Sequence, residues 1–346
     1  GVARTRAGSV GFIEATSNDF GVCASSGTLR SRMRFTFLRS TRIKMYRIML
    51  RNRSRTEITR RAVLAMGGMA AARPLFGAAA QPRTAVNFAV PANACDCHTH
   101  IFGNPAQFPW FAGRTYTPES ALPAEMRKLH EVLHIRRVVI VTPSVYGTDN
   151  SATLFGMKAS GADARGIAVV DEKTPAAELD RLAKAGFRGM RINLATGGQN
   201  DPVSGRRRLD WALKQAKSLG WHVKMFTSPN VIAAIRDLVS GSDVPVVFNH
   251  FGGAKAAAGV KQAGFSDLLD LLRSGHAYVK VSGAYRASSR GPDYRDAEPL
   301  ARALISANPD RVLWGTDWPH PDTTIRPGHP ATEVTPLLQI DDGLLL

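Results

Sequence analysis

Cysteine is scarce in this sequence: Cys23, Cys95 and Cys97 make no even framework, and two of them sit at i and i+2 in one short segment. A disulfide-stapled scaffold is thereby excluded, and Cys95 and Cys97 read as packed small hydrophobes. The chain also lacks the uninterrupted run of about 20 apolar residues that a membrane helix needs. Its most apolar early stretch, Ala62 to Ala72, is interrupted by Gly67-Gly68 and stopped at Arg73-Pro74. No glycine-rich phosphate fingerprint follows the first β-like segment, which argues against a dinucleotide-binding open sheet. Acidic residues are missing only locally. Residues 1–84 hold 3 Asp/Glu against 16 Lys/Arg, whereas residues 85–346 hold 25 against 29. The net charge of +17 therefore belongs to a leader, and no nucleic-acid partner is expected.

Within the leader, Thr59-Arg60-Arg61 opens the weak apolar run, and Ala78-Ala79-Ala80 before Gln81 reads as a small-residue cleavage site. This resembles a twin-arginine export signal. It predicts a mature chain from about Gln81, without integral membrane association, in the periplasm; a basic tail on a cytoplasmic protein is the alternative. Residues 1–44 show no periodicity and are expected to be unstructured or to precede the true start, for which Met45 or Met49 is more ordinary. The division is thus a largely disordered leader, 1–84, and one domain, 85–346.

From Ala94 onward, short β-branched runs recur at Ala94 to His100, Val138 to Ser144, Gly166 to Val170, Gly189 to Asn193, His222 to Thr227, Val246 to His250, Tyr278 to Ser282 and Val312 to Asp317. Helix-like stretches lie between them, among them Ala176 to Ala185, Leu209 to Leu219, Val231 to Val239, Phe265 to Arg273 and Ala297 to Ala307. Eight strands alternating with helices predict a parallel sheet closed as a (β/α)8 TIM barrel. After the last strand a crossover helix has barely begun before Leu346. Either that helix is short or the chain is truncated.

Two histidines at i and i+2, His98 and His100, point the same way from a strand and can serve one pocket. Strict alternation places Asp96 on their face and Cys95, Cys97 and Thr99 on the other. His250 ends the sixth strand and Asp317 the eighth, so four groups are expected at the carboxyl rim, where barrel enzymes carry their chemistry. A hydrogen-bonded core pair with a capping aspartate is the bland alternative. A lone Zn²⁺ held by His98, His100 and Asp317, with or without His250, is chemically possible.

Several segments in order carry a family likeness: Cys97-His98-Thr99-His100-Ile101-Phe102-Gly103, Gln107-Phe108-Pro109, Tyr146-Gly147-Thr148-Asp149-Asn150, Ala164 to Asp171, Gly189-Met190-Arg191-Ile192-Asn193 and Gly315 to Pro321. Over roughly Ala94 to Pro321 the chain resembles the amidohydrolase superfamily, within it the amidohydrolase-related group that includes 2-pyrone-4,6-dicarboxylate lactonase. The resemblance implies water-driven opening of a small anionic lactone. Asp317 would be the general base, while His98, His100 and His250 polarise the carbonyl. Arg191, sharing an inward face with Asn193, and Arg286 would bind substrate carboxylates. Tyr116 and Ser144 match substrate-touching positions. Phe226 occupies the position of a substrate-binding tyrosine and cannot donate a hydrogen bond, a role that Lys224 on the same face could take over. The fourth and fifth strands lack the ligands of a binuclear centre, so the expectation is no cofactor or one divalent metal, leaning to none. A Zn-dependent decarboxylase of the same superfamily and a barrel that only binds an anionic ligand are the alternatives. The oligomeric state is left open.

Overall fold

The eight β-branched runs form eight parallel strands, each hydrogen-bonded to the next in chain order. The structure, a computed structural model, describes residues 79–196 and 198–346. The Arg60-Arg61 motif and the upstream stretch lie outside the described residues, among which no helix is long and apolar enough to cross a membrane. The strands are β1 (Cys95–Thr99), β2 (Arg137–Val141), β3 (Ala164–Ala168), β4 (Phe187–Asn193), β5 (His222–Phe226), β6 (Val246–Phe248), β7 (Ala277–Ser282) and β8 (Val312–Gly315). Between and after them run α1 (Pro123–Val132), α2 (Ser151–Ser160), α3 (Ala176–Lys184), α4 (Pro202–Leu219), α5 (Pro229–Ala234), α6 (Arg236–Ser240), α7 (Phe265–Arg273), α8 (Ala284–Ala287), α9 (Glu298–Ala307) and α10 (Asp342–Leu345).

Local chemistry sets the helix limits. Asp201 caps α4 by accepting from Ser204 N at 2.9 Å, Pro202 takes the first helical position, and Gly220 stops the helix in the left-handed region. That cap starts α4 seven residues before the expected Leu209. In α7 the buried residues Phe265, Leu268, Leu271 and Leu272 recur at helical spacing and face the sheet. Alternation along the strands divides the apolar residues into two layers. Val138 and Ile140 belong to the large core between sheet and helices. Val139 and Val141 join Cys95, Cys97, Ile167, Val247 and Leu313 in a small cluster inside the barrel.

Closure between β1 and β8 depends on one extra residue. Asp96 pairs with Val138 and Thr99 with Ile140, three steps on β1 against two on β2, so β1 carries a bulge. This corrects strict alternation. Asp96 is separated from His98 and turns toward α1, where it meets His130 Nε2 at 3.2 Å, while Cys97 and His98 both serve the interior. The Asp96 carboxylate fills the irregular seam: it accepts from His98 N at 3.0 Å, Thr316 N at 3.1 Å and Thr316 Oγ1 at 2.6 Å. Above it the backbones join directly, Asp317 N to His98 O and His100 N to Trp318 O, each at 2.8 Å.

The segment after β8 adds only the four-residue α10 and a two-residue strand, Val334–Thr335, paired with Thr117–Pro118. Asp341 ties this segment to residues 83–84, accepting from Arg83 N at 2.9 Å and Thr84 Oγ1 at 2.8 Å. Ala79 and Ala80 of the expected cleavage motif are buried, and Ala79 N donates to Glu125 Oε1 at 3.2 Å.

Candidate active site

Three imidazoles converge on one carboxylate oxygen at the carboxyl rim. Asp317 Oδ1 lies 3.4 Å from His100 Nε2, 3.5 Å from His98 Nε2 and 3.8 Å from His250 Nε2. His98 stacks on His250 at 4.6 Å between ring centroids and meets His100 edge-on at 5.1 Å. The other carboxylate oxygen is held: Tyr285 Oη donates to Oδ2 at 2.7 Å and Arg286 Nε at 2.5 Å. Backbone geometry delivers these groups, since β1 places both histidines, while His250 and Asp317 turn inward through left-handed residues just past β6 and β8.

Glycine is needed at position 283 to let the parts meet. Gly283 has φ +56, and a Cβ there would lie 3.0 Å from Asp317 Oδ2 and 3.1 Å from His250 Nδ1.

The charge states follow from burial and neighbours. Burial pushes the Asp317 carboxyl up, but Arg286, His250 and His100 outweigh it and hold the group well below the usual carboxylate range. Burial drives His100 down to about 4 and takes His98 and His250 well below the ordinary histidine value, so the imidazoles are neutral at pH 7. His100 Nδ1 lies 2.7 Å from Val141 O, and because a carbonyl only accepts, that nitrogen carries the proton. His100 therefore presents an Nε2 lone pair to a carboxylate oxygen. His98 has no hydrogen-bond partner on either nitrogen among the described residues, and Asp317 Oδ1 makes no hydrogen bond of good geometry there. An acceptor-rich gap of this kind calls for a proton donor or a cation between its walls. The ligand atoms of His98, His100 and Asp317 lie within 4.8 Å of one another, a donor set that fits one small divalent ion with an open position.

The expected substrate contacts surround this cluster. Arg191 and Lys224 are in-register partners on β4 and β5, both buried; Arg191 Nη1 donates to Thr142 O at 2.8 Å. Asn193 Oδ1 accepts from Thr196 N at 3.1 Å, leaving its buried Nδ2 without a partner among the described residues. Tyr116 is buried beside Ser144, within the field of Arg191, Arg286 and Asp317. Arg286 differs from the expectation in what it holds. Its fork is engaged by Asp317, by Thr323 Oγ1 at 3.1 Å and by Pro321 O at 3.4 Å, with Phe226 5.7 Å beneath it. Two site groups went unread in the sequence, Tyr285 and Ser282, whose Oγ lies 3.0 Å from His250 Nδ1, and Asp96 reads there only as a companion of the histidines. The signal available was position, since Tyr285 precedes Arg286 and Asp96 precedes the histidine pair.

The family model for amidohydrolases matches residues 95–343. The chain belongs to the amidohydrolase family. Among its relatives is a 4-sulfomuconolactone hydrolase of Rhizobium radiobacter, 37% identical over 240 residues, covering 68% of this chain and 78% of that protein. A 2-pyrone-4,6-dicarboxylate hydrolase of Comamonas testosteroni is 35% identical over 252 residues, covering 68% and 79%. Among solved structures, a probable 2-pyrone-4,6-dicarboxylic acid hydrolase of Acinetobacter baumannii with citric acid bound matches with a TM-score of 0.58 and 27% identity, covering 66% of this chain and 84% of that one. The matched span of this amidohydrolase runs from the bulged β1 to the segment beyond β8, and so includes every residue of the cluster.

Proposed function

We propose that this amidohydrolase opens a small anionic lactone by adding water to its ring ester. The observation that carries the reading is the divided carboxylate of Asp317: Oδ2 is fixed by Tyr285 and Arg286, while Oδ1 faces three neutral imidazoles. A water seated there donates one hydrogen to Asp317 Oδ1 and the other to His100 Nε2, which points its oxygen lone pair outward at a carbonyl carbon. Asp317 takes the proton as the new carbon–oxygen bond forms, and returns it to the ring oxygen as the ring carbon–oxygen bond breaks and the adduct collapses to the open-chain acid. His98, whose tautomer no neighbour fixes, donates to the carbonyl oxygen and stabilises the charge that develops on it, with His250 stacked behind it. The names of the curated relatives, hydrolases of a sulfomuconolactone and of a pyrone dicarboxylate, support this substrate class.

A single divalent metal on His98, His100 and Asp317 would supply Lewis acidity and a more acidic water when bound. The same donor set favours a second reading, a Zn-dependent decarboxylase. Export to the periplasm by a twin-arginine route belongs to the proposal as well and rests on Arg60-Arg61 and the run that follows.

The test is a panel of mono- and dicarboxylic and sulfonated lactones, with metal counted in the same preparation and activity measured before and after chelation. Lactone opening in wild type and its loss in Asp317→Asn, with ligand binding retained, is the expected result. Turnover undiminished in Asp317→Asn removes Asp317 from the base role. Decarboxylation that disappears on chelation, with no lactone opened, establishes the second reading.

A further inference from the structure

We infer that His320, gripped by Asp342 of the C-terminal segment, is a positioning residue: it sets the Tyr285 phenol against Asp317 and so fixes which carboxylate oxygen faces the reaction. The inference rests on the reading of Asp317 as the base, and it gives a role to a buried pair outside the imidazole cluster.

His320 follows Asp317 by three residues but takes no part in the cluster. Its side chain is fully buried, its backbone is left-handed at φ +61, and its backbone N–H donates to Asp317 O at 2.9 Å. On the other side its carbonyl accepts from Leu338 N at 3.0 Å. The imidazole Nε2 lies 3.2 Å from Asp342 Oδ1 and 3.1 Å from Oδ2, whereas Nδ1 is buried with no hydrogen-bond partner among the described residues. Asp342 alone therefore orients the ring by hydrogen bonding. It is itself buried at the start of α10, and the neighbouring Asp341 anchors that segment to residues 83–84. A left-handed non-glycine residue and a buried His–Asp pair both cost stability. What they supply is orientation.

That orientation is passed to Tyr285. The imidazole meets the Tyr285 ring edge-on, 5.8 Å between centroids at 82°, while the Arg286 guanidinium lies over the same ring at 5.0 Å. Two planar groups thus hold the plane of the phenol. Burial, with the carboxylates of Asp317 and Asp342, keeps the phenol well above its ordinary value against the opposing pull of Arg286, so its hydroxyl stays a donor to Asp317 Oδ2 at 2.7 Å. Without His320 the ring is free to swing about its side-chain bonds, and a shift of about 1 Å at the hydroxyl is enough to release the carboxylate it positions. Arg286 alone would then hold Oδ2.

The experiment is a mutant cycle read in kcat and KM on the best lactone of the panel. His320→Asn, whose asparagine tolerates the left-handed backbone but is too short to reach Asp342, and Asp342→Ala are each made alone and in a Tyr285→Phe background. Every variant is checked for a cooperative thermal transition, and His320→Asn carries the comparison if Asp342→Ala does not fold. In the otherwise wild-type protein kcat is expected to fall about tenfold with KM changed less than about threefold. In the Tyr285→Phe background the same substitutions should change kcat by less than about twofold, because the group they act through is already gone. An unchanged kcat, a change in KM alone, or an equal fall in both backgrounds overturns the inference while leaving lactone opening in place. Crystal structures of wild type and His320→Asn serve a protein that opens no lactone. There, a Tyr285 hydroxyl moved about 1 Å or more from Asp317 Oδ2 retains the positioning role and overturns only the lactone reading, whereas a phenol still in place overturns both.

Discussion

Tyr285 Oη and Arg286 Nε donate to the same carboxylate oxygen of Asp317, at 2.7 and 2.5 Å, so two consecutive residues after β7 fix Oδ2 and leave Oδ1 without a hydrogen bond among the described residues. Removing the phenol frees Oδ2 to rotate and removes a hydrogen bond to a charged group, an interaction of about 1.5–3 kcal/mol. Tyr285→Phe is expected to lower kcat on the best lactone by about tenfold to a hundredfold with little change in KM. Steady-state kinetics tests this, and an unchanged kcat would show that Arg286 alone orients the carboxylate.

Gly283 admits the meeting of Asp317 and His250 by lacking a side chain. Gly283→Ala puts a methyl group 3.0 Å from Oδ2 in a left-handed backbone position. Both the strain and the contact act on the Asp317 carboxylate, the proposed base, so the variant is expected to lose activity by more than tenfold and stability by about 1–3 kcal/mol. Denaturant titration beside kinetics separates the two effects. Retention of full activity would mean that the loop yields without moving Asp317.

Asp96 stitches the bulged seam of the barrel with three donors from β1 and the Thr316 corner. Asp96→Asn presents an amide NH₂ where those donors expect an acceptor, and a buried donor left unpaired costs about 1–3 kcal/mol. Thermal unfolding is expected to shift down by several degrees. Activity should fall with it, because His98 and Asp317 flank the residues that Asp96 holds. A variant as stable as wild type would show that water fills the seam.

The barrel was legible because its strands are short β-branched runs at regular spacing, and His98, His100, His250 and Asp317 were legible because each ends one of them. What alternation could not supply was the bulge, since an extra residue is defined only by the register of a second strand. Asp96 therefore read as a neighbour of the histidines instead of the seam's organiser. The start of α4 was missed because Pro202 to Arg208 has no apolar periodicity; the cap at Asp201-Pro202 marks it instead. Tyr285 and the engagement of Arg286 belong to tertiary geometry, in which an arginine suited to a substrate carboxylate meets a protein carboxylate first.

Buried neutral histidine makes stability depend on pH. His222 lies beneath the site with Nδ1 2.8 Å from Arg188 O, and burial, with Lys280 and Lys224 nearby, lowers it to about 3 from 6.5. Its folded value lies below its unfolded one, so between these values the unfolded chain binds a proton that the folded chain refuses. The contribution is complete above pH 6.5 and is lost as pH falls toward 3. One such proton gives a slope of about 1.4 kcal/mol per pH unit. His98, His100 and His250 shift in the same direction, so wild type is expected to lose stability steeply on acidification. In His222→Asn the amide can still reach Arg188 O, and the slope of unfolding free energy between about pH 6 and pH 4 should be shallower by up to one proton's worth. Urea titrations across that range measure both slopes; parallel lines would show that His222 is protonated in the folded barrel.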